Sequence, residues 1–221
     1  MNAAHVVSAR KQKIYDYAQR FACERDQWMQ TNEYFHELDV AYMRFLIPEG
    51  LKVLDMGCGI GRLLAALKPA RGVGIDISPK MVEIARREHP HLEFIQGDVE
   101  DEKVIDSLNE KFDVVVISDT IGSFDDCQAA FHLLHKISTP DTRIVVAYYS
   151  KLWEPILRLA ERAGGKMPSV EQSWLSTEDI ENLLYLADFE VIKREWRQLI
   201  PKRLLGIGAI VNKFVAPWPL I

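Results

Sequence analysis

Cysteine is rare in this chain. Its three copies in 221 residues, Cys23, Cys58 and Cys127, follow no framework or metal-ligand spacing. That excludes a disulfide-stapled secreted scaffold and predicts a reducing, cytoplasmic setting. No window approaches the ~20 apolar residues of a membrane span, and the first ten residues lack the apolar core of a signal peptide. A basic excess is missing too: 27 Lys and Arg stand against 32 Asp and Glu, a net charge of −5. Binding along a nucleic-acid backbone is thereby disfavoured. Repeats, low-complexity tracts and flexible linkers are absent. What is present, 48% hydrophobic and 27% charged residues, is the balance of a globular chain with a core. The length suits one α/β domain with additions.

Glycine is also scarce, yet three of its 12 copies fall at positions 57, 59 and 61. In Val53-Leu-Asp-Met-Gly-Cys-Gly-Ile-Gly61 an apolar strand from Leu51 to Leu54 ends in Asp55, and the three glycines follow. A helical pattern starts at once, with Leu63, Leu64 and Leu67 on one face. Strand, glycine turn and helix let main chain approach a nucleotide-like ligand closely. A second strand, Gly72 to Ile75, ends in Asp76, an acid suited to accept hydrogen bonds from both ribose hydroxyls. The dinucleotide fingerprint G-x-G-x-x-G seats a pyrophosphate on a helix N-terminus. Here the spacing is G-x-G-x-G, and Asp55 would repel an anion. A ligand with an amino group and a sulfonium, and no phosphate, would use that acid.

The rest of the chain alternates helix and strand. Helical patterns cover residues 9–30 and 33–46. Ser78-Pro79 supplies an N-cap and a first-turn proline for a helix whose buried face is Met81, Val82, Ile84 and Ala85. Leu92 to Ile95, Phe112 to Ile117 and Thr142 to Tyr149 read as further strands. The β-branched run at 114–117 suits a strand covered on both faces. Asp125-Asp126 opens a helix to Ile137, residues 151–164 form another, and Ser176 to Asp179 is a capping-box-like start for one running to Ala187. Phe189 to Ile200 is predicted as a sixth strand. Five alternations predict a doubly wound, mainly parallel α/β sheet. We divide the chain into an N-terminal helical cap at 1–47, the α/β domain at 48–200 and an apolar tail at 201–221. The tail reads as a poor strand, with Pro217 and Pro219 in its last stretch. A seventh strand is therefore not evident, and a fragment of a larger protein, docking on a partner and peripheral membrane contact all stay open, beside the plain reading of a packed, solvated tail.

The run Asp55-x-Gly57-x-Gly59-x-Gly61, with Asp76 closing the next strand, resembles the first two motifs of class I S-adenosylmethionine-dependent methyltransferases. Gln96-Gly97-Asp98-Val99 resembles the third. The resemblance spans residues 33–200 and implies a Rossmann-like sheet, S-adenosylmethionine as cofactor and S-adenosylhomocysteine as product. On it, Asp55 holds the ammonium and Gly57, Cys58, Gly59 and Gly61 form the turn under the methionine part. Asp76 takes the ribose, Ile77 and Met81 pack near the adenine, and Asp98 accepts the adenine amino group while the Val99 amide meets the ring. Ser118 and Asp119 line the methyl end, and Tyr34 caps the site. Alternatives remain beside several of these: core packing for Met81, a solvated turn acid for Asp98, a turn and helix-cap role for Asp119.

Candidate bases are Asp119, His36 and Tyr148; core packing is equally open for Tyr148, and a structural role for His36. His132 and His135 lack a third ligand, so no metal is predicted. The acceptor is an oxygen or nitrogen of a small molecule or of a glycan or lipid-linked compound. A looser resemblance, carried by 148–161 and 174–180, is to bacterial methyltransferase domains associated with glycosyltransferases. A homodimer is a further expectation. Two other classes compete: a non-catalytic domain that only binds the cofactor, and an NAD(P)-dependent oxidoreductase, whose glycine spacing differs.

Overall fold

The computed structural model describes residues 8–148, Leu159, Glu161 and residues 173–195. Two helices, α1 (Ala9–Phe21) and α2 (Arg25–Thr31), are joined by a tight 3₁₀ turn at Ala22–Glu24 and lead into α3 (Glu33–Leu46). Then come β1 (Lys52–Met56), α4 (Arg62–Ala66), β2 (Arg71–Asp76), α5 (Pro79–Glu88), β3 (Glu93–Gln96), α6 (Glu102–Leu108), β4 (Val114–Ser118), α7 (Cys127–Leu133), β5 (Arg143–Ala147) and α8 (Thr177–Leu186). The strands form a five-stranded sheet in the order β3-β2-β1-β4-β5, every neighbouring pair parallel. The doubly wound α/β reading is therefore what the molecule adopts.

Alternation along the central strands separates two core layers, because successive side chains leave a strand on opposite faces. Val53, Val114 and Val116 pack with Leu64 and Leu67, with Val82 and Ala85 of α5, and with Met43 and Ile47 at the end of α3. Leu54, Met56, Val115 and Ile117 pack on the other face with Ile105, Ala130, Phe131 and Leu134, and with Ile180, Leu183 and Leu184 of α8. β4 is sealed from Val114 to Ile117, as its continuous β-branched run requires.

The predicted caps are made. Ser78 accepts from the Met81 amide at 3.3 Å, with Pro79 in the first turn. Asp126 accepts from Ala129 N at 2.9 Å, and Ser176 and Asp179 close a reciprocal capping box. Two expectations are corrected. The helix after Asp126 ends at Leu133 and tightens into a 3₁₀ turn at Leu134–Lys136. Residues 189–195 form no strand: a strand needs a ladder partner, and among the described residues only β4 pairs with β5. The expected helix at 151–164 (Leu159 and Glu161 apart), the remainder of the sixth strand at 196–200 and the tail at 201–221 lie outside the described residues.

Candidate active site

Parallel register brings the carboxyl ends of all five strands to one edge of the sheet, where ligands of such folds sit. Each end carries a residue named above. β1 leads into the glycine turn, whose first two amides, Gly57 and Cys58, both donate to the Ile75 carbonyl of β2 at 2.8 and 3.0 Å. Gly57, Gly59 and Gly61 all have positive φ, at 84°, 55° and 78°, so the turn demands residues without a Cβ penalty. Their surroundings differ. A Cβ on Gly57 would strike Thr120, and one on Gly61 would lie 2.6 Å from the Phe94 ring, whereas nothing lies within 4 Å of a Cβ on Gly59. Two of the glycines thus make room for protein, and Gly59 faces open space. Cys58 is packed away: it is 8% exposed, and its sulfur fills the notch left by Gly74 of β2. Burial, with Asp76 and Asp55 nearby, pushes its thiol well up, so it is no thiolate nucleophile.

Asp76 is 9% exposed, and both of its oxygens are engaged: the Gly59 amide donates at 2.8 Å and the Ser78 amide at 2.9 Å. Burial raises this carboxyl while the two amides, and then Arg25, pull it back. Asp55 is 3% exposed and among the described residues receives no hydrogen bond. Burial first, then Asp76 and Asp39, push it up to about 7. Asp39 escaped the sequence reading. It lies one helical turn before Met43, the buried residue of α3, and eight residues before Ile47, the buried residue just past the helix, and therefore on the stripe that faces the sheet. Burial pushes its carboxyl up to about 6. The detectable signal was an acid at i, i+4, i+8 with two core residues.

His36 and Tyr34 are half-buried at the start of α3. Burial, then Arg25 and Arg62, lower His36 to about 4, so the imidazole is neutral at pH 7. Arg25, also absent from the sequence reading, thus lies within electrostatic reach of both His36 and Asp76. Met81 is 3% exposed and packs with Ala22 and Ile60. The Ile77 carbonyl accepts from Gln96 at 3.3 Å. After β3, the Gly97 amide donates to the Asp76 carbonyl at 3.0 Å, and Val99 joins the core at 6% exposure. Asp98 is not a solvated acid, since Lys11 of α1 donates to its Oδ1 at 2.6 Å.

After β4, Asp119 adopts φ +55°, a left-handed conformation that costs a non-glycine residue of order 1 kcal/mol or more and concentrates at functional sites. Its amide donates to Ala147 O at 2.9 Å, and the Thr120 hydroxyl turns back to Ser118 O at 2.9 Å. Tyr148 donates its hydroxyl to the Ser173 carbonyl at 2.6 Å and packs over Gly122, which engages the proton a base would need to shed. His135 contacts the Ala187 carbonyl at 2.8 Å and stacks on Phe189 at 4.5 Å, far from this edge in role: it fastens the end of α8. Of the stretch 148–161 that carries the looser resemblance, only Tyr148, Leu159 and Glu161 lie among the described residues.

The chain is similar to solved structures along most of its length. An S-adenosylmethionine-dependent methyltransferase from Thermotoga maritima superposes with a TM-score of 0.69 at 23% identity, over 86% of this chain and 88% of the other. Magnesium protoporphyrin IX methyltransferase from Synechocystis, solved with bound S-adenosylhomocysteine, gives 0.65 at 22% identity, over 83% and 91%. At such identities these likenesses speak for the fold. In sequence the chain is 32% identical over 92 residues to demethylmenaquinone methyltransferase of Chlorobaculum tepidum, covering 40% of this chain and 37% of that protein. It is 26% identical over 151 residues to a ubiquinone/menaquinone biosynthesis C-methyltransferase of Burkholderia vietnamiensis, covering 64% and 60%. The alignments thus span less than two thirds of these relatives. The profile of the methyltransferase domain family, in contrast, matches residues 28–194. With that match over most of its length, on a parallel sheet whose strand ends carry the two acids and the glycine turn, this chain belongs to the methyltransferase domain family.

Proposed function

We propose that the chain moves the methyl group of S-adenosylmethionine to an oxygen or nitrogen of a small-molecule acceptor, with S-adenosylhomocysteine as product. One observation carries the reading. A buried carboxylate that receives no hydrogen bond among the described residues, Asp55, is followed directly by the turn in which Gly59 faces open space. The donor set fits this cofactor and not a phosphate: a further anion beside Asp39, Asp55 and Asp76 would add repulsion, whereas an ammonium offsets it. Asp55, with Asp39 behind it, holds the ammonium. The main chain of Gly57, Cys58, Gly59 and Gly61 follows the methionine part. Asp76, after its two amide donors, keeps a second lone pair on each oxygen for the ribose hydroxyls. Ile77, Met81, Gly97, Asp98 and Val99 border the adenine, Ser118 and Asp119 the methyl end, and Tyr34 covers the site.

When bound, the cofactor supplies a methyl carbon on a sulfonium that leaves readily. The chain's own residues have to hold the acceptor on line at roughly 3 Å, exclude water and take up a proton. Asp119, held in its strained turn after β4, is our first choice of base. His36, neutral above pH 5, is a weaker one. Tyr148 would have to break its bond to Ser173 O first. The relatives named above act on quinone precursors and a protoporphyrin, which supports a small-molecule acceptor. Glycan or lipid-linked acceptors, an associated glycosyltransferase, a homodimer and a cytoplasmic setting belong to the same proposal; among the described residues no helix is long and apolar enough to cross a membrane. Titration calorimetry with S-adenosylhomocysteine and with NAD⁺ is the test, followed by S-adenosylhomocysteine release across acceptor panels. Binding of NAD⁺ in place of the adenosyl compound would overturn the reading.

A further inference from the structure

Helix α1 runs across the ligand edge of the sheet and touches the loops that follow three of its strands, β2 and β3 on one side of β1 and β4 on the other. After β2, the Gln19 side-chain oxygen accepts from the Ser78 hydroxyl at 2.7 Å and from the Lys80 amide at 3.0 Å. After β3, Lys11 pairs with Asp98 at 2.6 Å and with Glu100. After β4, Arg10 donates to the Gly122 carbonyl at 2.6 Å and to the Phe124 carbonyl at 2.5 Å, and Ser8 donates to Asp125 at 2.5 Å. An adenosyl group seated on Asp76 and Asp98 would lie beneath it.

The manner of attachment is unusual for a helix. The one fully buried residue of α1 is a lysine, Lys11, at 5% exposure. No apolar side chain of α1 anchors it in the core, whereas α3 is fixed by Met43 and by Ile47 just past its end, at 2% and 1%. Apolar anchoring begins just past the end of α1, where Ala22 packs with Ile60 and Met81, in the 3₁₀ turn that separates α1 from α2. One end therefore has a hinge-like break with an apolar pivot, and the other has a charged catch.

The seat for the catch is built without the helix. Glu100 is held by the Asp125 and Asp126 amides at 2.9 and 2.7 Å, and Asp98 Oδ1 accepts from the Glu100 amide at 3.0 Å. Removing Lys11 would leave the receptor loops tied to each other. Elements held by hydrogen bonds and ion pairs, with little apolar burial, open at lower free energy than the core around them.

We propose that α1 is a hinged strap, pivoting at Ala22–Glu24 and latched by Lys11 onto Asp98 and Glu100, which closes over the adenosine half of the cofactor and sets the rate of its release. The proposal rests on the cofactor reading above. Lys11 acts here as a positioning residue through Asp98 and Glu100.

The test is the dissociation rate of S-adenosylhomocysteine, and separately of 5′-methylthioadenosine, by stopped-flow displacement from the full chain and from Lys11→Met. Lys11→Met is expected to release both compounds ~10-fold faster or more, by the same factor, since the strap covers the half they share. Folded Lys11→Met with wild-type release rates would overturn the proposal. If Lys11→Met fails to fold, Arg10→Met, which leaves the buried triad intact, must show a smaller acceleration of the same sign; unchanged release would again overturn it. Hydrogen exchange of the ligand-free chain gives a reading independent of the cofactor: residues 9–21 are expected to exchange as one unit, well before α3. Equal protection of α1 and α3 would count decisively against a strap. Failure of the wild type to bind either compound would overturn the cofactor reading, and the exchange result would still decide whether α1 opens.

Discussion

Two carboxylates close neighbouring strands, Asp55 on β1 and Asp76 on β2, and the fold treats them oppositely. Both are nearly sealed, at 3% and 9% exposure. Asp76 receives two main-chain amides and is fixed in orientation before any ligand arrives. Asp55 receives none among the described residues and shares its surroundings with Asp39 and Asp76. A buried anion without donors costs the fold free energy, and its usual escape is to hold a proton, which the rise to about 7 expresses. The difference separates two tasks. On the proposed function, one acid is a preset hydrogen-bond acceptor for the neutral ribose hydroxyls, and the other is a vacancy in charge that the ammonium completes.

Gly59 lies between the two acids in sequence, and breaking it should have the largest effect. Gly59→Val fills the open face and forces a β-branched residue to φ +55°. We expect binding of S-adenosylhomocysteine to disappear in calorimetry while the melting transition survives, lowered by a backbone cost of about 1–2 kcal/mol. Asp76→Ala comes next. Hydrogen bonds to a charged group contribute about 1.5–3 kcal/mol each, so loss of the ribose contacts should weaken binding by ~100-fold or more. The orphaned Gly59 and Ser78 amides should also lower stability by about 1–3 kcal/mol.

Asp55→Asn should have a smaller effect on affinity, about 10-fold at pH 8, and a distinctive one on pH dependence. Between its ordinary 3.8 and about 7, the folded chain keeps a proton on Asp55 that the unfolded chain has released. Unfolding free energy should therefore fall as pH rises through that window and level off above it. Asp39, raised to about 6, adds a narrower share of the same sign. Denaturant titrations across the window should show the slope much reduced in Asp55→Asn. A cationic ligand favours the ionised carboxylate, so affinity should drop as pH falls below about 7, with proton release visible in calorimetry as a buffer-dependent enthalpy. His36, neutral above pH 5 in the folded chain, takes no part in that change of affinity, but its lowering from 6.5 to about 4 adds an opposing share to the unfolding slope, since there the unfolded chain binds the proton. An unaltered pH slope in Asp55→Asn would mean that the two acids are equivalent after all. Tyr148→Phe should do least: loss of one hydrogen bond to Ser173 O, about 1 kcal/mol, and turnover within a few-fold of wild type. A far greater loss of turnover would restore Tyr148 as a base.

The residues that were legible share a property: their meaning is local. Gly57, Gly59 and Gly61 announce a turn of positive φ, Ser78-Pro79 a helix start, and the β-branched run at 114–117 a doubly covered strand. Lys11 was illegible for the opposite reason. In sequence it is one charge among many on an amphipathic helix, and its burial depends on Asp98, 87 positions away. Asp39 was hidden likewise, since a polar residue on an apolar stripe carries no label until the stripe is laid against β1. Of the strand predicted at 189–200, the described part, 189–195, is unpaired: alternation supplies a candidate strand, and only a ladder with a neighbour makes it one.

By itself the sequence determined the alternating α/β plan, the glycine turn and the two strand-end acids, because periodicity, glycine's conformational range and strand-terminal charge act within a few residues of their cause. Tertiary structure alone decided which acid is satisfied and which is not, that Gly59 of the three glycines faces open space, that Tyr148 and Asp98 are already engaged, and that a buried lysine fastens α1 across the site. Each of those facts is a contact between segments far apart in the chain, and burial, which sets the strength of charges and hydrogen bonds, exists only once the segments have packed.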